Sequence, residues 1–388
     1  MDNALTRREF LAQSTSVVGG SVVAALGASA ASNAASMGDI KPVLYSITYA
    51  ACWYRGPALT MDEVLERAKK FGFAGIEIDG KRPGGCPLDW PKKRCVEFHQ
   101  KVVDKGLVIS NVAANNDFSS PIPEHREAQL ANVKEQIRMT ADLNTESKAL
   151  RVFFGWPGCT AVPEGGSRYD IAQNTWSFLH RDFTEEQIWD WCRQGFIEAA
   201  RLAGDYGVTL ALQNHRPVLK TYHDVIRMVK EVGSPHLKIC LDAPIMEKTD
   251  PAYLRQAVLD VGSLQVHSHY GGEFKRMAPD GPILPRKVTG SWGSEYVHGD
   301  YENMDNIYLP FFKAMLENGY RGHVGYELCH PLPRVDGQLV GIDFVDRTTQ
   351  LGLEYIRNTI AEAKEQVMSE LRGNPSPLGA PPALPGRQ

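Results

Sequence analysis

Short runs of aliphatic and β-branched residues alternate along this chain with longer stretches whose apolar positions recur every three to four residues. The short runs read as strands at 43–48, 75–78, 107–112, 149–154, 208–212, 237–241, 263–266 and 322–326. Several helices between them announce their own ends. Thr60 with Glu63 makes a capping box ahead of Val64, Leu65 and Ala68, and Gly72 falls where a helix would stop. Thr184 with Gln187 repeats the device before Ile188, Trp191, Phe196 and Ala199. The last helix carries a single stripe, Leu353, Ile356, Ile360, Ala363 and Val367, which is core packing without chemistry.

Strand and helix in regular alternation predict βα units around a parallel sheet. Eight such units fit a closed (β/α)8 TIM barrel, which takes about 250 residues before insertions. A doubly wound open sheet is the runner-up, but it would need a GxGxxG after the first strand, and none is present. No repeat of solenoid period is found.

The chemistry of such a barrel sits where strands end. The fifth run exits into Gln213, Asn214 and His215, and the sixth into Asp242. The seventh exits into His267 and His269, and the eighth into Glu327 and His330. Gln213, Asp242, His267 or His269, and Glu327 at one rim form an oxygen-rich set with an imidazole. That set suits a divalent ion such as Mn, Co, Mg or Zn with positions left for substrate. Any one of them alone would pass as a cap or a loop residue; four at equivalent strand ends point to a metal site. Glu77, inside the second strand, is expected to point into the barrel as a supporting residue or a salt-bridge partner, and no catalytic part is assigned to it.

Composition narrows the partners. Lys and Arg number 42 against 46 Asp and Glu, a net charge of −4, so no basic surface invites nucleic acid. The seven cysteines show no CxxC or CxxH spacing and read as buried small residues. The ends read differently from the middle. Arg7 and Arg8, a weak apolar run from Val17 to Leu26 and the step Ala28, Ser29, Ala30 have the layout of an export signal, and the paired arginines resemble a twin-arginine signal. The apolar run is too short for a bilayer span, so no stable membrane insertion of the mature chain is expected. The expected division is a signal peptide and linker at 1–36, one barrel at 37–371 and a Pro/Gly-rich flexible tail at 372–388. The protein is expected to be exported or periplasmic, with the twin-arginine machinery as a partner and a homo-oligomer possible through outer helices.

The motifs GFAGIEID (72–79), GVTLALQNH (207–215), LKICLD (237–242), LQVHSH (264–269) and HVGYEL (323–328) resemble the xylose isomerase-like TIM-barrel family of sugar isomerases and epimerases. In that family a Glu, an Asp, a His and a second Glu bind the metal, and the resemblance puts Asp242, His269 and Glu327 on three of those positions. Gln213 stands at the first, a departure that removes one negative charge. A neutral amide can ligate but cannot carry a proton. The two-glutamate proton relay of the family's epimerases is therefore not available, and Glu327, with His215 and His267 nearby, is left to move protons. Such a set suits enolisation and reprotonation on one face of a sugar; it equally suits loss of the aglycone from a 3-keto-glycoside. A non-catalytic sugar-binding barrel is the third reading, and a trinuclear zinc endonuclease lacks both the ligands and the basic surface.

The segment from Tyr270 to Asn303 is long and rich in Gly and Pro, and carries Glu273, Lys275, Arg276, Trp292 and His298. Lys275 and Arg276 are expected to touch substrate hydroxyls or a carboxylate, with Trp53 and Trp156 offering faces to a small-molecule sugar or glycoside.

Overall fold

The computed structural model describes residues 37–161, 167–290 and 296–373. Eight parallel strands close into a barrel: β1 (Asp39–Tyr45), β2 (Gly75–Asp79), β3 (Val108–Ala113), β4 (Ala149–Val152), β5 (Thr209–Gln213), β6 (Leu237–Cys240), β7 (Gln265–Gly271) and β8 (Arg321–Glu327). Pairing of β1 with β8, from Asp39 opposite Arg321 to Leu44 opposite Tyr326, shuts the ring. Each expected strand is present, shifted by a few residues at its ends. The signal-like segment and residues 374–388 lie outside the described residues, as does Trp292.

The nine α-helices of the described residues cover the outside: α1 (Met61–Phe71), α2 (Lys92–Asp104), α3 (Pro123–Asp142), α4 (Asp170–His180), α5 (Glu185–Asp205), α6 (Tyr222–Val232), α7 (Pro251–Val261), α8 (Tyr308–Glu317) and α9 (Ile342–Gly373). Both capping boxes form as expected, at Thr60 with Glu63 and at Thr184 with Gln187, satisfying backbone N–H groups at the starts of α1 and α5. Gly72 ends α1 in the left-handed region at φ 95°, where a side chain would be strained. The α9 stripe is buried throughout, and the helix reaches Gly373, two residues beyond the barrel end expected at 371. No described helix is long and apolar enough to cross a membrane.

Strand alternation sorts the side chains into two populations. Ile76, Ile78, Leu150, Val152, Leu210 and Leu212 face the helices and belong to the main apolar core. Their neighbours face the barrel axis, where Ala149, Ala211 and Cys240 keep the lower interior small. Above them the axis becomes polar, with Glu77, Arg151, His267 and His269 all buried.

The segment after β7 is not the unstructured loop that its Gly and Pro content suggests. Phe274–Arg276, Ile283–Thr289 and Val297–Tyr301 pair as a three-stranded antiparallel sheet, with a register shift between Arg286 and Val288.

Candidate active site

At the exits of β5, β6 and β7 three predicted ligands come together. Gln213 Nε2 donates to Asp242 Oδ2 and lies 3.4 Å from His269 Nδ1. The same Asp242 oxygen is 2.9 Å from His269 Nδ1, while Asp242 Oδ1 accepts the His269 backbone N–H at 2.7 Å. Asn214 holds Asp242 from the other side: its Oδ1 accepts the Asp242 N–H at 2.8 Å and its Nδ2 donates to the Asp242 carbonyl at 3.2 Å. Two strand exits are thereby locked in register.

Glu77, left without a chemical part in the sequence, stands at the centre of this arrangement. Both its oxygens lie 3.1 Å from His269 Nε2, Oε2 is 2.9 Å from His267 Nε2, and Oε1 accepts from Asn111 Nδ2 at 2.9 Å. Gly325 on β8 makes the room. A Cβ there would come within 2.5 Å of Glu77 Oε2 and 2.9 Å of the His269 ring, so only glycine lets the carboxylate reach the imidazole.

Charge explains the electrostatics. Burial pushes the Glu77 carboxyl upward, but His269 and His267 outweigh it and hold the group well below the usual carboxylate range. Burial also opposes ionisation of Asp242, and His269 again overcomes it. Glu327 differs: burial raises its carboxyl above the ordinary value, with His269 opposing and Asp242 reinforcing the shift. A carboxylate raised in this way, with a charged environment that includes Arg151, is suited to taking and returning a proton.

The donor set fits a divalent cation. A neutral imidazole has one N–H, yet both nitrogens of His269 face carboxylates, so one of the two contacts needs a proton or a cation between its partners. Nε2–H directed at Glu77 is the arrangement that steadies a ligating histidine, and it turns the Nδ1 lone pair toward Asp242 and Gln213. Gln213 Oε1 is buried with no hydrogen-bond partner, and turning the amide over brings that oxygen to the edge facing Asp242 and His269, where a ligand oxygen would stand. Cys240, whose Sγ lies 3.4 Å from Asp242 Oδ1 and 3.6 Å from His269 Nδ1, completes the surroundings, and burial pushes its thiol above the usual range.

Around the mouth, Trp53 packs on Tyr169 at 4.8 Å between ring centroids, and Trp156 meets Tyr169 at 5.4 Å and His215 at 4.6 Å. The Tyr169 hydroxyl donates to the Cys329 carbonyl, two residues past Glu327. His215 donates Nδ1–H to the Arg216 carbonyl at 2.6 Å, and burial pushes its imidazole down to about 4, leaving it neutral at physiological pH. His267 sits one inward position deeper than His269 and is 1% exposed, so its contact is with Glu77 rather than with the mouth.

The structure does not bring Lys275 and Arg276 to this group. Arg276 pairs with Glu354 on α9 at 2.5 Å and donates to the Gly281 carbonyl, and Lys275 Nζ lies 5.7 Å over the Tyr301 ring. The edge strand Phe274–Arg276 turns Arg276 toward the outer helix layer and leaves Lys275 over Tyr301 of the same sheet. Instead the positive group near the site is Arg151. Its guanidinium stacks 4.1 Å over Phe153, donates to the Tyr45 hydroxyl at 2.6 Å and is fully enclosed.

A sequence profile described as xylose isomerase-like TIM barrel matches residues 65–348. No curated protein sequence matches the chain. Among solved structures, D-psicose 3-epimerase with D-tagatose from Clostridium cellulolyticum H10 superposes with a TM-score of 0.56 at 18% identity, covering 82% of this chain and 99% of that one. An L-ribulose 3-epimerase gives 0.55 at 16% identity, over 86% of this chain and 98% of its own. The 3-keto-D-glucoside 4-epimerase from E. coli gives 0.53 at 16% identity, over 84% and 100%. At such identities the likeness is one of fold, while the profile spans most of the barrel: the chain belongs to the xylose isomerase-like TIM-barrel family.

Proposed function

We propose that this protein is a divalent-metal-dependent sugar isomerase or epimerase that moves a proton at the carbon beside a carbonyl. The observation that carries the reading is the grouping of Gln213, Asp242 and His269 at adjacent strand exits, with the orphaned Gln213 oxygen and the raised carboxyl of Glu327 beside them. Asp242, His269, Glu327 and the Gln213 oxygen would hold the ion. When bound, a divalent ion supplies polarisation of the substrate carbonyl and a counter-charge for the enediolate.

The chain's own residues do the rest. Trp53, Trp156 and Tyr169 offer apolar faces to the sugar ring and exclude water from one side of it. Glu327 takes the proton and returns it. Gln213 cannot act as a second base, so proton removal and return fall to the Glu327 face, which suits transfer between neighbouring carbons in an aldose–ketose isomerisation; inversion at one carbon needs a proton donor on the opposite face. Arg151, buried and cationic, adds positive potential where the enediolate develops. Similarity to enzymes described as epimerases of psicose, ribulose and a 3-keto-glucoside agrees with a keto sugar as substrate. The export-type layout of the N-terminal sequence supports an activity outside the cytoplasm, where sugars and glycosides rather than phosphosugars are at hand.

Product analysis by NMR tests the reading. The metal-loaded protein is incubated in D2O with free ketoses and with 3-keto-glucosides. Deuterium entering the carbon beside the carbonyl, with isomer formation and no bond cleavage, is the expected result. Released aglycone would replace isomerisation by elimination, and no exchange with any keto sugar would leave a binding protein.

A further inference from the structure

A second group of metal-type donors lies outside the rim set, where the three-stranded sheet meets the barrel. Glu273 follows β7, His298 lies on the strand Val297–Tyr301, and His330 follows β8. One donor atom from each falls within 4.8 Å of the other two. Glu273 is fully buried, and its two oxygens have different fates. Oε2 takes the Arg286 guanidinium at 3.0 Å. Oε1 lies 2.9 Å from His298 Nδ1 and 4.0 Å from His330 Nδ1, yet neither Oε1 nor His298 Nδ1 makes an aligned hydrogen bond.

His330 supplies the third orphan. Its Nδ1 lies 3.1 Å from the Pro331 carbonyl, and a carbonyl only accepts, so Nδ1 carries the hydrogen. Nε2 of the neutral ring then presents a lone pair, and that atom is buried without a partner; Nδ1 is the ring atom 4.0 Å from Glu273 Oε1, so His330 ligates through Nε2 after a rotation of its ring. Buried polar atoms normally find partners; Oε1 and His298 Nδ1 meet only as a misaligned ion pair and His330 Nε2 has none, and one shared cation would satisfy all three. Among the described residues, no hydrogen bond or ion pair joins this cluster to Gln213, Asp242, His269 or Glu327.

We propose that Glu273, His298 and His330 form a second metal site, selective for a zinc-type transition ion. Two imidazoles and one monodentate carboxylate are a borderline-soft set that favours such an ion over Mg or Ca and leaves one coordination position open. Arg286 occupies the other carboxylate oxygen and so fixes Oε1 as the donor. The ion clasps the sheet to the ends of β7 and β8. Tyr296, the residue before the His298 strand, stacks toward His330 at 6.3 Å and meets Tyr169 at 5.8 Å, so the clasp also holds the aromatic wall of the mouth.

The test is a Co2+ titration of the chelator-stripped full chain, followed by visible d–d absorption, in the wild type and in His298→Ala, His330→Ala and Asp242→Asn. His298→Ala and His330→Ala should each weaken one equivalent by on the order of 100-fold or more, with circular dichroism unchanged because both residues lie on connections outside the barrel strands. Asp242→Asn should retain that equivalent together with its absorption band. If the rim reading fails and this one holds, the wild type takes a single ion that is lost in His298→Ala and kept in Asp242→Asn. A single equivalent lost in Asp242→Asn but kept in both histidine variants would overturn the second site, as would unchanged titrations in His298→Ala and His330→Ala.

Discussion

The two halves of the barrel interior do different work. Strands β5 to β8 end in Gln213, Asp242, His269 and Glu327, polar donors placed at the strand exits, the end of the barrel where sites of this fold are built. Strands β1 to β4 carry Tyr45, Glu77 and Arg151 within their span, buried and already engaged with protein partners. The first half therefore sets the state of the second. Glu77 crosses the axis to orient the His269 ring, and Arg151 and His269 shape the electrostatics around Glu327. A ligand set read from strand ends alone is half of the arrangement.

Breaking the second half should cost most. Asp242→Asn keeps an oxygen for the His269 backbone N–H but removes the carboxylate charge proposed to hold the ion, and activity at a fixed metal concentration should fall by on the order of a thousandfold, measured as initial rates across a metal series. Loss confined to a few-fold would show that the exits are not the centre. Glu77→Gln keeps the shape but weakens the support of His269, and metal affinity should drop about 10–100-fold by competition with a chromophoric chelator. An unchanged affinity would separate the two halves. Gly325→Ala presses a methyl against Glu77 and the His269 ring; thermal unfolding should show a loss of about 1–3 kcal/mol, together with weaker metal binding.

The smallest effect at neutral pH concerns His323, on β8 below the site. Burial, helped by His267 and Lys41, pushes its imidazole down to about 4. Its folded value lies under the unfolded one of about 6.5, so the unfolded chain binds the proton first. The contribution is whole above that range and is lost as pH falls from about 6.5 toward 4, with a slope of at most about 1.4 kcal/mol per pH unit. His323→Gln should flatten this part of the stability profile in denaturant titrations, leaving pH 7 to 8 parallel to the wild type. An equally steep acid limb would assign the loss to other groups.

The barrel was legible because each strand is a short apolar run and each helix a 3.6-residue stripe with its own caps. The rim donors were legible for a related reason: a polar residue directly after an apolar run stands out. Arg151 did not, because a single charge inside Ala149–Val152 leaves no periodic mark, and its partner Tyr45 is distant in sequence. Glu77 points into the barrel as its place in the second strand suggests, but nothing local indicates that it reaches His267 and His269 across the axis. Lys275 and Arg276 follow the converse logic: their sequence position near the mouth said nothing of the antiparallel pairing that turns Arg276 toward α9 and Lys275 onto Tyr301. That pairing was itself masked by the Pro and Gly residues within Ile283–Thr289 and Val297–Tyr301.

The central claim is that the second half holds a cation while Glu327 exchanges the substrate proton. It is tested most directly by comparing the wild type with Glu327→Gln, both saturated with Mn2+, for deuterium exchange at the carbon beside the carbonyl of a keto sugar in D2O. The account predicts exchange in the wild type and a loss of on the order of a hundredfold or more in the variant under metal saturation. Equal exchange rates in the two proteins would contradict it.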